Sequence, residues 1–562
     1  MTATERFRAA RDFLLETRLD YDRATREFTW PRLEHFNWAL DWFDVIARGN
    51  DRTALRIVGN ETSDVVMSFD QLRTLSNRIA NYLRARGLGR GDRVLLMIGN
   101  APELWATMLA CMKLGCPVIP ASTLLTAADL QDRVSRGNTA AVIAEPGVAD
   151  RFAEVTGASL RVSSTGTVPG WESLDAAAKE SGQLEPEQLT STSELMLLYF
   201  TSGTTAQPKL VPHTHASYPV GHLSTLYWTG LQPGDVHLNL SSPGWAKHAW
   251  SCFFAPWTAE ATVVAQAAGR FDPVRLLEQL ERCAVTVFCA PPTVWRSLVQ
   301  QDLSRYRVVL REALSAGEPL NPEIIASVEK HWGITVRDGY GQTETTLQVG
   351  NFPGRKVKPG SMGLPAPGYV LDLLDANGAP ANEGEIAIRL RTAPLGLTPG
   401  YLGDVARNEA ARAEGFYRTG DAATRDAAGY FTYIGRNDDL FKSSDYRISP
   451  FELESALIEH PAIIEAAVVP SPDAQRLSVP KAFIVTTCPQ RDDRQTALDI
   501  FRFIRARVSA YKRVRRIEFA ELPKTISGKI RRAELRSNEA ARTAGQRAAR
   551  EFWEQDFPEL HG

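Results

Sequence analysis

From Thr53 to about Pro186 the apolar positions alternate between two periods. Ser68 to Arg86 repeats them at helical spacing, Arg93 to Ile98 is a short continuous run, and Ala101 to Leu114 is helical again. Val118 to Pro120 and Ala140 to Ala144 are two further short runs. Strands and helices in alternation predict a parallel, doubly wound sheet. Leu195 to Phe200 opens a second series of the same kind, continued by a helix at Pro273 to Ala284 and a strand at Val285 to Ala290. Ligands of such sheets lie beyond the carboxyl ends of the strands, so the loops after Phe200, Leu314 and Val336 are placed to converge on one ligand. Between Gly360 and Tyr433 the elements shorten and glycines multiply, as in Gly384 to Arg389, which predicts a small β-barrel.

After Gly435 a compact mixed segment begins. Ser449-Pro450-Phe451-Glu452 carries an N-cap, a first-turn proline and a capping-box glutamate, and its helix runs to about His460 before Pro461. The first 50 or so residues are helical and rich in aromatics (Trp30, Phe36, Trp38, Trp42, Phe43), a structural collar on the first domain. Asn538 to Gly562, rich in Ala, Arg and Glu, reads as an exposed helix or a frayed tail. The fold class is α/β. A large N-terminal domain over residues 1–435 holds two doubly wound sheets plus the barrel at about 360–433, and a smaller α+β domain follows over 436–562.

Composition narrows the function. At 562 residues the chain holds roughly three or four domain-sized units and can bury a sizeable core. Lys+Arg 64 against Asp+Glu 66 leaves a formal charge of −2, with no basic field for nucleic acid and no polybasic stripe for a membrane surface. The partners this implies are small molecules. Six cysteines, at 111, 116, 252, 283, 289 and 488, are scattered in mostly apolar contexts and read as reduced core thiols rather than zinc ligands or disulfides. Met1 to Asp20 mixes Arg with Glu5, Asp12 and Glu16 and has no apolar core, so neither a secretory signal nor a transit peptide is predicted and the expected location is cytoplasmic. Even the most hydrophobic zone, Val94 to Ala121, is broken by Glu103 and Lys113, which excludes a membrane span. Monomer and homodimer both remain open.

The chemistry starts at Tyr199-Phe200-Thr201-Ser202-Gly203-Thr204-Thr205-Ala206-Gln207-Pro208-Lys209. An apolar strand delivers a loop of small and hydroxyl residues with one lysine, which suits a polyphosphate: backbone N–H groups approach closely, hydroxyls add donors, and Lys209 adds charge. A Walker loop would need a Gly-Lys-Ser/Thr ending that this stretch lacks. On composition alone, an ordinary surface turn fits about as well.

Four further motifs follow in order: Asp338-Gly339-Tyr340-Gly341-Gln342-Thr343-Glu344-Thr345, Tyr417-Arg418-Thr419-Gly420-Asp421, Gly435-Arg436-Asn437-Asp438-Asp439 and Pro523-Lys524-Thr525-Ile526-Ser527-Gly528-Lys529. Together with the phosphate loop they resemble the adenylate-forming superfamily of acyl-CoA synthetases, peptide-synthetase adenylation domains and firefly luciferase. The resemblance implies ATP-dependent activation of a carboxylic acid to an acyl-AMP, a mobile C-terminal domain, and Mg²⁺ as the metal. It gives Lys529 contact with the α-phosphate and carboxylate, and it assigns Mg²⁺ to Glu344 with hydroxyl help from Thr204 or Thr343. Thr201, Ser202, Gly203, Thr204, Thr205 and Lys209 cradle phosphates; Gly317, Glu318 and Pro319 border adenine, on which Tyr340 stacks. Asp338, Gly339, Gln342 and Thr343, in the same motif as Tyr340, are likewise expected to bind the nucleotide. Asp421 matches the aspartate that takes both ribose hydroxyls, a task suited to two acceptor oxygens, and Arg436 matches a ribose or phosphate contact. Asp438 matches the hinge. A surface lysine at 529 and a turn aspartate at 421 are the structural alternatives.

Gly244-Trp245-Ala246-Lys247-His248-Ala249-Trp250 looks most like the short- and medium-chain acyl-CoA synthetases, which would put Trp245, Trp250, Lys247 and Gly341 around the acyl group. Lys247 either meets a carboxylate or snorkels with its head in water, and snorkelling is the favoured reading. His213, His215 and His222 read as polar loop residues. Two positions depart from the family: Ala206 stands where glycine is usual, and Asp445 replaces a glycine in the Ser444-Asp445-Tyr446 loop whose counterpart flanks the CoA tunnel. CoA is the expected acceptor; the alternatives are an amine, a carrier-protein thiol, or a fold that has lost catalysis, against which intact Lys529, Glu344 and Asp421 argue.

Overall fold

The computed structural model describes residues 1–59, 64–201, 207–267, 269, 271–318, 320–443, 446–473, 476–487, 493–525, 529–542 and 546–560. Contacts divide the chain into two compact units. The first is Met1–Leu371 with Ile388–Tyr417 and Gly429–Phe431; the second is Asp372–Ala387 with Arg418–Ala428 and Thr432–Gly562.

The first unit holds two large sheets. One has seven strands in the order Glu172–Ser173, Leu160–Ser163, Thr139–Ala144, Arg93–Met97, Val118–Pro120, Leu195–Thr201 and Lys209–Thr214, all pairs parallel but the last. The other has nine strands. Its parallel centre runs Val336–Gly341, Glu312–Ala316, Val287–Ala290, Val236–Asn239, Thr262–Gln266 and Thr53–Val58, and antiparallel strands close both edges. Both sheets were expected, but two assignments differ. Leu195–Thr201 belongs to the first sheet, where Leu197 pairs with Val118, instead of opening the second. Thr53–Val58 joins the second sheet beside Thr262–Gln266. A strand buried on both faces is a uniform apolar run and carries no record of its neighbour.

Local signals served better. The helix Phe69–Ala85 starts at Ser68, whose hydroxyl accepts from the Gln71 N–H while the Gln71 side chain reaches back, a reciprocal cap. The collar is helical at Ala3–Glu16, and buried Trp38 and Trp42 donate to Thr258 Oγ1 and the Trp257 carbonyl, packing against the segment that continues from Trp250.

The second unit mixes strands with the helices Pro450–Ile458, Arg494–Arg507 and Arg532–Ala540. Pro380–Ala381, Leu371–Leu374, Glu383–Arg389, Phe416–Arg425 and Phe431–Arg436 form a five-stranded sheet in that order, lying mostly in this unit. Ile463–Asp473, Leu477–Thr486, Arg516–Phe519 and Glu551–Trp553 form a four-stranded one. The helix Pro450–Ile458 is capped by Ser449, but Glu452 pairs with Lys512 instead of closing a capping box. The tail is neither a frayed end nor an exposed helix throughout. Glu551–Trp553 pairs antiparallel with Arg516–Phe519, and Phe557 and Leu560 enter the hydrophobic core. Three carboxylates, Glu518, Glu539 and Glu551, surround the fully buried Lys481 ammonium at 2.8 to 2.9 Å. Among the described residues no helix is long and apolar enough to cross a membrane.

Candidate functional site

The hairpin of Leu195–Thr201 and Lys209–Thr214 pairs Thr201 with Lys209, so these two residues mark the base of the phosphate loop. Ser202, Gly203, Thr204, Thr205 and Ala206 lie outside the described residues, as do Pro319, Ser444 and Asp445. Thr201 Oγ1 is buried and has no hydrogen-bond partner among the described residues. Lys209 Nζ lies 5.3 Å over the Tyr401 ring.

The return strand is where the first unit's site is assembled. The Leu402 N–H donates to the Leu210 carbonyl at 3.0 Å, and Thr398 Oγ1 donates to the Pro212 carbonyl at 2.7 Å. The same segment holds Glu344 twice: the Thr398 N–H donates to its carbonyl at 2.8 Å and the Tyr401 hydroxyl to its carboxylate at 3.0 Å. Burial, reinforced by the Glu344 charge, raises the Tyr401 phenol above its ordinary range, so the hydroxyl stays a donor. His213 closes the bracket, its Nε2 lying 2.7 Å from the Thr343 carbonyl. The structure thus brings Lys209 and the Thr343–Glu344 turn to one strand, as expected, through Thr398, Tyr401 and His213, which sequence reasoning missed. Their partners in this bracket lie from 54 residues away, for Thr398 and Glu344, to 186, for Thr398 and Pro212, and no local signal announces them.

On the second sheet, Asp338 to Gly341 are strand residues rather than a loop. Ser315 pairs with Asp338 and Ala316 with Gly339, which sets the Gly317 turn, at φ +107°, beside that strand's end. Glu318 is exposed and Tyr340 half-buried. Asp338 is buried and accepts from the N–H groups of Leu320 and Gly339; burial pushes its carboxyl up to about 7 against those bonds and the Lys247 charge. The backbone at Gly339 approaches the Trp228 ring closely enough to leave no room for a methyl. A methyl at Gly341 would collide with both the Thr346 carbonyl and the Trp250 ring, so the expected pair Trp250 and Gly341 is in contact. Trp250 Nε1 donates to the Tyr218 hydroxyl at 2.8 Å. The N-cap of helix Ala246–Ala249 is Trp245, half-buried. Gln342 donates its N–H to Thr345 Oγ1 at 3.1 Å.

Two readings are corrected here. Lys247 does not snorkel: its half-buried ammonium donates to the Ala316 carbonyl at 2.9 Å, because that strand-end acceptor is within reach of the lysine stem. His213, His215 and His222 are all buried, and His213 lies in a strand, whereas His215 and His222 stand in turns as expected.

In the second unit, Asp421 is 4 % exposed, accepts from the Tyr433 hydroxyl at 3.1 Å and faces Arg436 at 3.6 Å. The Asp438 side chain is exposed and its carbonyl accepts from Arg536 at 2.8 Å. Lys529 is exposed on a loop whose neck is the Lys524–Ile530 bridge, with the Thr525 N–H donating to the Lys529 carbonyl at 2.8 Å. Exposed Tyr446 stacks on Tyr511 at 4.4 Å.

No group of three or more His, Cys, Asp or Glu fit to hold a metal occurs among the described residues. A single half-buried carboxylate, Glu344, fits Mg²⁺, which takes one or two carboxylates and fills its shell with phosphate oxygens and water.

The AMP-binding enzyme family matches residues 42–402 and the AMP-binding enzyme C-terminal domain matches residues 452–529. The chain belongs to the AMP-binding enzyme family. It is 45 % identical over 520 residues to 4-hydroxybutyrate–CoA ligase 1 of Metallosphaera sedula, covering 90 % of this chain and 91 % of that one. It is 40 % identical over 542 residues to the mitochondrial acyl-coenzyme A synthetase ACSM3 of Rattus norvegicus, covering 92 % and 93 %. Among solved structures it is similar to the anthranilate CoA ligase AuaEII in complex with anthranoyl-AMP, with a TM-score of 0.82, 28 % identity and coverage of 91 % and 98 %.

Proposed function

We infer that the chain activates a carboxylic acid with ATP, releasing pyrophosphate and forming an acyl-AMP, and then transfers the acyl group to the thiol of CoA with release of AMP. It is an AMP-forming acid:CoA ligase. The observation that carries this reading is the bracket joining the phosphate-loop hairpin to the Glu344 turn, in a chain similar over about nine-tenths of its length to two CoA ligases.

The first half-reaction asks for positioning and charge neutralisation more than for acid-base groups. In the first unit we assign Thr201 to Thr205 and Lys209 to the phosphates. Glu344 and Thr204 hold Mg²⁺, which neutralises phosphate charge when bound. Tyr340 and the Gly317–Pro319 turn take the adenine, with Asp338, Gly339, Gln342 and Thr343 behind them. Trp245, Trp250 and Gly341 shape the acyl pocket. The indole pressed on Gly341 supports a narrow pocket and hence short- or medium-chain acids. In the second unit, Asp421 and Arg436 receive the ribose, Lys529 the α-phosphate, and Asp438 is the hinge. Ser444, Asp445 and Tyr446 flank the CoA tunnel, and the enzyme works in the cytoplasm.

A panel of carboxylic acids, assayed for pyrophosphate release with and without CoA, tests the reading. CoA-dependent AMP release and acyl-CoA formation are expected. Adenylation without CoA-dependent AMP release would move the acceptor to an amine or a carrier-protein thiol.

A further inference from the structure

The hydrogen-bonding roles of His213 are settled by its neighbours. A carbonyl only accepts, so the Nε2 lying 2.7 Å from the Thr343 oxygen must carry the proton. The other ring nitrogen lies 3.0 Å from Ser217 Oγ, which already accepts the Thr214 N–H at 2.8 Å and so turns its own proton toward Nδ1. One neutral tautomer satisfies the whole set. The ring is fully buried and packed on Tyr218, with centroids 3.9 Å apart, and burial pushes its pKa down to about 3, so the arrangement holds across the working pH range.

We propose that His213 is a positioning residue for adenylation: its Nε2–H grips the Thr343 carbonyl from the return strand of the phosphate-loop hairpin and so fixes the adjoining Glu344 carboxylate relative to that loop. Two other ties act on the same turn, the Tyr401 hydroxyl on the carboxylate and the Thr398 N–H on the Glu344 carbonyl. Those ties run through residues 398–402, whereas His213 connects the turn directly to the hairpin. A turn held from one side only would let the carboxylate drift, and placement of this kind is worth large factors in rate. The inference rests on the assignment of Glu344 to Mg²⁺.

The test separates the N–H from the ring. His213→Phe keeps an aromatic ring on Tyr218 and loses the donor; His213→Gln places an amide N–H near the Nε2 position. ATP binding is measured by calorimetry with Mg²⁺ and again in EDTA. His213→Phe is expected to weaken Mg²⁺-dependent ATP binding about tenfold, the scale of one lost hydrogen bond, and to leave metal-free binding within about twofold. His213→Gln should recover to within about threefold of wild type. Ser217→Ala, which removes only the partner of Nδ1, should show a smaller loss in the same direction and keeps the question answerable if the His213 variants do not fold. Wild-type Mg²⁺-dependent affinity in His213→Phe or Ser217→Ala, equal losses with and without Mg²⁺, or a Gln variant no better than Phe would each overturn the proposal. Absence of acyl-CoA formation by the wild type would overturn the ligase reading and leave this binding result standing.

Discussion

The indole of Trp250 is wedged between the backbone of Gly341 and the Tyr218 hydroxyl, so its edge faces the strand that carries Asp338 and Tyr340. Trp250→Ala should open space there and shift preference toward longer or bulkier acids. The shift should be graded along a homologous acid series, since one methylene in an apolar pocket is worth about 1–3 kcal/mol. An unchanged acid profile would place Trp250 in the packing core alone. At the other end of the chain Lys529 is exposed and carries its charge into solvent. Lys529→Ala should lower pyrophosphate release by roughly a hundredfold, the scale of one lost transition-state charge contact. Thioester formation from supplied acyl-AMP should largely survive. Equal losses in both steps would remove the assigned role. Residues such as Glu344 and Asp421 were legible in the sequence because a carboxylate within a fixed short motif identifies itself. His213, Thr398 and Tyr401 were not, because what matters about each is a partner supplied by a distant turn.

At the scale of elements, what could be read were periods and caps; what could not be read was who pairs with whom. Ser68 and Ser449 announced their helices because the capping hydroxyl and its N–H lie within a few residues of each other. Leu195–Thr201 gave its existence and length but not its sheet, since Met196 to Phe200 are buried and alternation is lost. The tail misled for a different reason. Its charged residues suggested solvent, yet Glu551 and Arg542 are there to pair with each other and with the Lys481 cluster, and Phe552 and Phe557 supply the apolar face while Trp553 lies under Arg516. Glu551→Ala leaves Lys481 and Arg542 short of one carboxylate in a buried site and should cost about 3 kcal/mol or more. The measurement is urea unfolding of the full chain followed by amide exchange along Arg516–Phe519. Unchanged protection of that strand would show that the tail merely lies against the sheet.

For the molecule as a whole, the consequence of the buried histidines is acid lability. His213, His215 and His248 are each pushed by burial to about 3 and His237 to about 4, and His222 is lowered as well. Their surroundings offer little to hold a proton: Ser217, Tyr218 and a carbonyl at His213, Arg90 near His215, Thr225 at His222, Trp105 at His248. Among the described residues, Asp235 acts on His237, offset by Lys247. In the unfolded chain each histidine titrates near 6.5, so the stability these groups share is fully present above that value and is lost as pH falls toward their folded values. Each contributes a slope of up to about 1.4 kcal/mol per pH unit over that window. Asp338 works in the opposite sense, because a carboxyl raised to about 7 costs stability as pH rises toward that value, and the carboxyls of Asp41, Asp44 and Glu103, which burial also raises, oppose the histidines in the same way. The histidines' depressed values reach further below 6.5 than the carboxyls' raised ones oppose, so unfolding free energy should fall between pH 6.5 and 4, with a net uptake of protons on unfolding. His248→Phe should reduce that uptake by close to one proton, since the His248 ring meets Trp105 at a tilt among the described aromatic rings and exchanging imidazole for phenyl keeps that contact. Denaturant titrations from pH 4 to 8 give both numbers. A flat profile between pH 6.5 and 5 would mean that the interior admits protons to these rings, and an unchanged slope in His248→Phe would remove that residue from the set.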